Sequence, residues 1–410
     1  MPARRIAVVT GTRAEFGLLQ WLVEDIHRDP DLELLLVVTG AHLAPEHGKT
    51  VAEIEARGFP IARRIEMLLS DDSAVGATKS MGVELFGLAE AWRDLRPDLL
   101  VLLGDRYEIL AAAASGLMAR IPMAHLHGGE VTLGAVDESI RHAVTKLCHL
   151  HFVAAEPYRA RVIQMGENPA QVFTVGALGL DTLTRTALPG RPELEASLGF
   201  ALGDPLFLVT QHPATAVAPP AEAVGTPSAM GSASSGRNGD RGTEQILAAL
   251  SAFPEATVVL THPNADPGNS AIRETLESFA AHRPRTHLVS SLGQIRYLGL
   301  LKVATAVIGN SSSGLIEAPA CGCPTVNVGP RQDGRLRATS VIDCPEDAAA
   351  IEAGIRRALS PEFRRTSLAQ PSPYAGQDVA AKILSVLKTV DLRALRIKPF
   401  FDAKQDRPPK

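Results

Sequence analysis

Short apolar runs punctuate the first half of the chain at Ile6–Thr10, Leu34–Val38, Leu99–Leu103, Met123–Leu126, His151–Val153 and Val172–Val175, with longer stretches of helical spacing between them. Most are apolar on both faces and give way to glycine or polar residues. Strands of a parallel sheet have this pattern, because helices cover both of its faces. Leu206–Thr210, Thr257–Leu260, His287–Ser290, Ala306–Ile308 and Thr325–Val328 repeat the theme in the second half. The pattern predicts an α/β protein made of two Rossmann-like, doubly wound units in tandem. Their junction lies between Ala177 and Pro205, which divides the chain into domains 1–185 and 186–375. An amphipathic helix near Asp378 to Val390, within residues 376–400, is expected to pack back on the first domain.

One stretch breaks the alternation. Residues 214–242 are dominated by Ala, Pro, Gly and Ser. Such a composition cannot bury enough apolar surface to order itself and predicts a disordered insertion, placed on the loop after Gln211-His212-Pro213. The tail Asp402–Lys410 is expected to fray.

Composition narrows the function classes. A length of 410 residues suits two domains, and the formal net charge of -4 gives no reason to expect a nucleic-acid partner. Aromatic residues make up 4% of the chain, too few for base-stacking platforms. Cys148, Cys321, Cys323 and Cys344 form no C-x-x-C pair and read as free thiols of a reducing compartment. No apolar run approaches the ~20 residues that span a bilayer, so a cytoplasmic protein without a membrane partner is expected.

Candidate chemistry gathers where strands end, the place where parallel α/β sheets bind ligands. Gly11-Thr12-Arg13 turns the first strand into a helix and offers N–H groups and a helix dipole to a phosphate. The absence of G-x-G-x-x-G argues against a nicotinamide nucleotide. Arg13 is either a ligand guanidinium or a surface arginine beside a turn. Asp105, after Leu99–Leu103, is a ligand group, a helix N-cap, or both. His125 and His127 have the spacing that points two side chains the same way from a strand end, and Gly128-Gly129-Glu130 follows them. Asp137 and Glu138 open a helix, where Asp137 could be a simple cap. Asp105, His127, Glu130, Asp137 and Glu138 together suit acid/base chemistry, because clustered carboxylates can hold opposed pKa values. A zinc hydrolase is the rival reading of H-x-H beside carboxylates.

In the second half, Gly309-Asn310-Ser311-Ser312-Ser313-Gly314-Leu315-Ile316-Glu317 places hydroxyls and helix-start N–H groups in an anion cradle, with Glu317 about one turn on. It lacks the glycine pattern of a nucleophile elbow and the lysine of a Walker loop. Arg331 and Arg335 follow the next strand and form either a diphosphate contact or a solvated basic loop. His212 and His262 also stand at strand ends.

Seven segments then occur in order: G-T-R-A-E, G-D-R-Y-E, H-L-H-G-G-E, D-E-S-I-R-H-A-V-T-K-L, Q-H-P, G-N-S-S-S-G-L-I-E and R-Q-D-G-R. Through them the chain resembles the UDP-N-acetylglucosamine 2-epimerases, especially the hydrolysing branch of bacterial sialic and legionaminic acid synthesis. The likeness covers nearly all of residues 4–400 except 214–242. It implies a glycosyltransferase-B arrangement with the active site in the inter-domain cleft and UDP held mainly by the C-terminal domain. It further implies Ser311, Ser312 and Glu317 on diphosphate and ribose, and Arg13, His212 and Arg331 near the phosphates. Ser313, Glu138 and His262 complete the expected substrate-binding set. Asp105, Glu130 and Asp137 become the acid/base residues around the sugar. Some members carry an acidic residue where His127 stands, so the C-2 base is either Glu130 or His127.

The implied reaction removes the C-2 proton and expels UDP to give a 2-acetamidoglycal. Water then adds at C-1 as a proton returns to the opposite face of C-2, leaving UDP and N-acetylmannosamine. UDP-2,4-diacetamido-2,4,6-trideoxyglucose is the alternative substrate, and a non-hydrolysing epimerase, a glycosyltransferase and a non-catalytic nucleotide-sugar sensor are the alternative functions. No cofactor and no metal are expected, and the resemblance implies a dimer or tetramer.

Overall fold

The computed structural model describes residues 3–45, 48–69, 73–133, 136–212, 241–263, 269–290 and 292–402. The first elements are β1 (Arg4–Thr10), α1 (Arg13–Arg28), β2 (Leu32–Thr39), α2 (Val51–Ala56), β3 (Ile61–Ile65), α3 (Ala74–Leu95) and β4 (Leu99–Leu103). There follow α4 (Tyr107–Met118), β5 (Met123–Leu126), α5 (Asp137–Leu147), β6 (Leu150–Val153), α6 (Glu156–Gln164), β7 (Val172–Thr174) and α7 (Asp181–Arg185). The second half runs α8 (Arg191–Leu198), β8 (Leu206–Thr210), α9 (Arg241–Leu250), β9 (Thr257–Thr261), α10 (Asn269–His282), β10 (Thr286–Val289) and α11 (Gly293–Val303). It ends with β11 (Ala306–Gly309), α12 (Ser313–Ala320), β12 (Thr325–Val328), β13 (Val341–Cys344), α13 (Ala348–Leu359), α14 (Pro361–Ser367) and α15 (Val379–Thr389).

Both sheets are parallel, with strand orders β3-β2-β1-β4-β5-β6-β7 and β10-β9-β8-β11-β12-β13. The period of two along each strand builds two cores per sheet. Ile6 and Val8 of β1 join α1 and α15 through Leu19, Leu22, Ile383 and Leu387. Ala7 and Val9 face the other way, into Leu88 and Trp92 of α3 and Ile109 and Ala112 of α4. In the second sheet Phe207 and Val209 face one core and Leu206 and Leu208 the other. Continuous apolar strands are the sequence signature of this two-sided burial.

The chain forms two compact units, Met1–Glu130 with Asp137–Thr182 and Tyr374–Lys410, and Val131–Val136 with Leu183–Pro373. The division expected at 185/186 falls at 182/183 because Thr182 is held by α1, its Oγ1 accepting from Trp21 Nε1 at 2.9 Å. The return expected at 376 falls at 374. There the Tyr374 hydroxyl pairs with that of Tyr158 at 2.8 Å, and its carbonyl accepts the Ala177 N–H at 3.1 Å. Val131–Val136 groups with the second unit through the Leu133 N–H, which donates to Asp333 O at 3.3 Å, and through Gly334, where a Cβ would collide with Val131.

Of the insertion expected over 214–242, residues 214–240 lie outside the described residues, and 241–242 belong to α9 with Gly242 buried. Two edge strands, β3 and β13, escaped the apolar pattern. Ile-Ala-Arg-Arg-Ile places arginines on an edge, where Arg63 pairs with Asp94 and Arg64 with Glu55. Val-Ile-Asp-Cys is short and carries an exposed Asp343. All four cysteines are unpaired.

Candidate active site

In the first unit the candidate residues lie at and beyond the carboxyl ends of the adjacent strands β4 and β5. Gly104, at φ +82°, turns the chain out of β4, and Asp105 follows. The N-cap of α4 is Arg106, so Asp105 is not the capping residue. Its carboxylate instead pairs with Arg141, which α5 carries and which is 1% exposed. Arg141 Nη1 also donates to Glu138 Oε2 and to the Glu130 carbonyl, each at 3.0 Å. Asp137 opens α5, one residue before Glu138. The i, i+3 and i, i+4 spacing of a helix puts Glu138 beside both Arg141 and His142, whose Nε2 lies 3.0 Å from Glu138 Oε1. One buried guanidinium therefore ties the end of β4, the loop after β5 and the first turn of α5. A buried charge is tolerable because its partners replace its hydration.

The two histidines of H-L-H do not point the same way, contrary to the sequence expectation. His125 lies within β5 and is fully buried. Its Nε2 donates to Gly104 O at 2.8 Å and its Nδ1 faces the Thr145 hydroxyl at 3.0 Å. Burial lowers its pKa to about 3, so it stays neutral. His127 stands beyond the strand at φ +63°. The Leu178 N–H donates to its Nε2 at 3.3 Å, and its Nδ1 lies 2.8 Å from Glu130 Oε1. Glu130 is 2% exposed. The zinc reading of H-x-H loses its geometry here. Among the described residues no group of three His, Cys, Asp or Glu side chains is arranged to hold a metal.

The loop after β1 also departs from expectation. Glu15 turns back in a capping box and its Oε2 accepts the N–H groups of Gly11 at 2.8 Å and Thr12 at 3.0 Å. Those amides are spent and form no phosphate cradle. Arg13 is half-exposed and lies 3.7 Å from Glu53. Glu15 is buried beside Glu108, and burial followed by that neighbour raises its pKa to about 7. Glu84 of α3 is buried near both and is pushed up to about 9, first by burial and then by Glu108. Neither Glu84 oxygen is hydrogen-bonded, the nearby Thr39 hydroxyl being donated to Ile65 O at 3.0 Å.

In the second unit β8 and β11 are neighbours from which the sheet grows in opposite directions, a topological switch point. Their ends are locked together by Asn310. Its Oδ1 accepts the His212 N–H at 2.8 Å and its Nδ2 donates to His212 O at 2.9 Å. The Asn310 carbonyl accepts from Arg331 Nη1 at 3.1 Å and Gln332 Nε2 at 2.7 Å. The chain reaches this point through Gly309 at φ +130°, where a Cβ would collide with the Thr210 carbonyl. His212 is buried, and burial, aided by Arg331, lowers its pKa to about 3. Ser312 is the N-cap of α12, Ser311 Oγ accepts the Ser313 N–H at 3.4 Å, and Glu317 sits mid-helix. Ser313 Oγ is buried beside the Tyr297 phenol. His262 follows β9, whose Thr261 hydroxyl meets that of Thr210 at 2.8 Å.

The structure thus brings together Asp105, Glu138, Glu130 and His127 in one unit, and His212, Arg331 and the start of the serine loop in the other. Arg141, Asn310 and Gln332 were not singled out from the sequence. Arg141 stands in a helical segment whose spacing gives no sign that its polar face is buried.

Comparison with known proteins gives a consistent result. The family model described as UDP-N-acetylglucosamine 2-epimerase matches residues 24–232 and 233–388. The chain is 37% identical to a GDP/UDP-N,N'-diacetylbacillosamine 2-epimerase (hydrolyzing) of Campylobacter jejuni, over 98% of this chain and 100% of the relative. It is 34% identical to a UDP-N,N'-diacetylbacillosamine 2-epimerase (hydrolyzing) of Legionella pneumophila, over 95% and 97%. The solved structure of UDP-GlcNAc 2-epimerase from Neisseria meningitidis bound to UDP-GlcNAc shares the fold at a TM-score of 0.74 and 16% identity, covering 93% of this chain and 99% of that one.

Proposed function

The chain belongs to the UDP-N-acetylglucosamine 2-epimerase family, and from that premise we propose that it hydrolyses a UDP-linked 2-acetamido sugar with inversion at C-2. The observation that carries the reading is the convergence of Asp105, Glu130 and Glu138 on buried Arg141 at two adjacent strand ends. In the proposed reaction Glu130 takes the C-2 proton. The C–H electrons form the C-1–C-2 double bond as the C-1–oxygen bond breaks, and that bond pair leaves on UDP. Water then adds across the glycal: its hydroxyl goes to C-1, and the proton that reaches the opposite face of C-2 comes from protonated Asp137 or Asp105. The proton lost by water restores that aspartic acid, and the proton held by Glu130 is released to solvent. Proton transfer by each positioned carboxylate is worth roughly 10²–10⁴-fold. UDP departure is assisted by Arg331, Arg13 and the start of α12, where cationic and N–H groups stabilise the developing phosphate charge. Ser311, Ser312, Glu317, His212 and His262 complete nucleotide recognition.

A 2,4-diacetamido-2,4,6-trideoxy sugar is favoured as substrate over N-acetylglucosamine. Two relatives at 37% and 34% identity bear the name of such a sugar, and both are hydrolysing enzymes. The free 2-epimer would enter sialic or legionaminic acid synthesis. We place the enzyme in the cytoplasm, as a dimer or tetramer. No described helix is long and apolar enough to cross a membrane.

UDP release measured side by side on UDP-N-acetylglucosamine and UDP-2,4-diacetamido-2,4,6-trideoxyglucose tests the reading. Release from either, lost in Asp105→Asn, Glu130→Gln and Asp137→Asn while UDP binding persists, supports it. Release that survives all three substitutions overturns the assignment of the acid/base set.

A further inference from the structure

We propose that His127 is a positioning residue for Glu130 and itself exchanges no proton with the substrate. The inference rests on the hydrolysing-epimerase reading and decides which of two neighbouring groups is the C-2 base.

Three observations carry it. Both ring nitrogens are committed within the protein. An N–H donor can only be met by a lone pair, so the Leu178 amide at 3.3 Å fixes Nε2 as the acceptor. The proton of the neutral ring is then on Nδ1, where it is donated to Glu130 Oε1 at 2.8 Å. A base that abstracts a carbon-bound proton must present a lone pair to it, and the one lone pair of this tautomer is taken.

The backbone joining the two residues is also held in place. His127 adopts φ +63° and Gly129 φ +76°. A Cβ at Gly129 would lie 2.6 Å from the Tyr158 carbonyl, and one at Gly128 2.9 Å from the Thr145 hydroxyl. Only glycines pass there, so the four-residue turn keeps ring and carboxylate in register. The Glu130 main chain is pinned from the other side by Arg141 at 3.0 Å.

Finally, the arrangement matches the general design of an oriented carboxylate. A buried acid used in proton transfer must be kept within a few tenths of an ångström of its productive position. An imidazole N–H does this while its far nitrogen is anchored at Leu178, the start of a short helical turn.

Side-chain mimics of the two nitrogens separate positioning from proton transfer. Asn carries an N–H donor where Nδ1 stands and tolerates left-handed backbone, whereas Gln reproduces the Nε2 side. His127→Asn is expected to keep kcat for UDP release within about tenfold of the parent. His127→Gln and His127→Ala lose roughly 10²–10³-fold in kcat with KM changed less than about threefold. The acidic limb of the kcat–pH profile survives in His127→Asn, because the group proposed to take the C-2 proton is unchanged. A His127→Asn enzyme as inactive as Glu130→Gln, with its acidic limb gone, overturns the proposal.

Nitrogen-15 NMR of histidine-labelled protein, with His127 assigned by its loss in His127→Asn, reads the pair without turnover. A proton on Nδ1 and none on Nε2 near pH 7 supports the proposal, and the opposite tautomer overturns it. If the parent enzyme releases no UDP from either substrate, the functional reading fails, while the tautomer still decides the His127–Glu130 arrangement.

Discussion

Arg141 and Asp105 stand 36 residues apart in the chain, yet the guanidinium of one is paired with the carboxylate of the other at the carboxyl end of β4. The same guanidinium reaches Glu138 and the Glu130 carbonyl. Removing it leaves the half-buried carboxylates of Asp105 and Glu138 without their cation and the buried Glu130 carbonyl without its donor. Arg141→Met is therefore expected to cost about 1–3 kcal/mol of stability, read by urea unfolding. Arg141→Lys keeps the charge but not the fork, which holds several acceptors in one plane. It should fold and lose about 10²-fold in kcat, because carboxylates displaced by an ångström lose their alignment. Unchanged kinetics in Arg141→Lys would show that the acid/base set does not depend on this residue.

Buried Glu84 and Glu15 set a pH dependence. Their pKa values in the fold, about 9 and about 7, lie above the ordinary 4.5. The folded state holds protons on these two groups that the unfolded chain has released, so their contribution to stability is fully present below pH 4.5 and is lost as pH rises through 7 and then 9. Glu84→Gln resembles the protonated acid and should flatten this fall, raising Tm at pH 9 by about 4–8 °C with little effect at pH 5. Thermal melts of the two proteins across that range test it. An equal effect at both pH values would mean that Glu84 is ionised in the fold throughout.

The start of α15 is capped from a distance. Its N-cap, Asp378, makes no side-chain capping bond, and the N–H groups of Val379 and Ala380 are instead accepted by Asp181 at 2.9 and 2.7 Å. Asp181 is 1% exposed. A buried carboxylate at a helix N-terminus satisfies two orphan donors and complements the dipole. Asp181→Ala should lower stability by about 1–3 kcal/mol, and hydrogen exchange should rise first in α15.

Asn310 tests the second unit. Asn310→Ala removes both bonds to His212 and should raise KM for the UDP-sugar about tenfold or more, with a smaller change in kcat, because it loosens the loop proposed to bind UDP. Isothermal titration with UDP alone should show the same loss. If UDP affinity is unchanged, the Asn310–His212 clasp does not shape nucleotide recognition.

The parallel framework was legible in the sequence because strands such as Leu99–Leu103 are apolar on both faces and end in glycine. Edge strands were not, since Arg63 and Arg64 in β3 pair with Asp94 of α3 and Glu55 of α2, contacts that the strand's own pattern does not record. The motifs placed Asp105, Glu130 and Asp137 at strand and helix ends. What they could not convey was how polar groups are consumed. Glu15 takes the amides that a phosphate loop would need. An amide 51 residues beyond His127 fixes the tautomer of its ring. Arg141 was hidden for the same reason, because its burial depends on a carboxylate 36 residues earlier in the chain. Local pattern records which faces are apolar, whereas polar satisfaction is a property of the assembled fold.

The central claim is that UDP leaves as the C-2 proton is lost and the sugar is released with inverted configuration. Turnover of UDP-2,4-diacetamido-2,4,6-trideoxyglucose in deuterated water, followed by NMR of the sugar product, tests it most directly. The account predicts free UDP in equal amount to a free manno-configured sugar carrying one deuteron at C-2. A free gluco-configured sugar with protium at C-2, or a UDP-sugar that exchanges C-2 without releasing UDP, would contradict it.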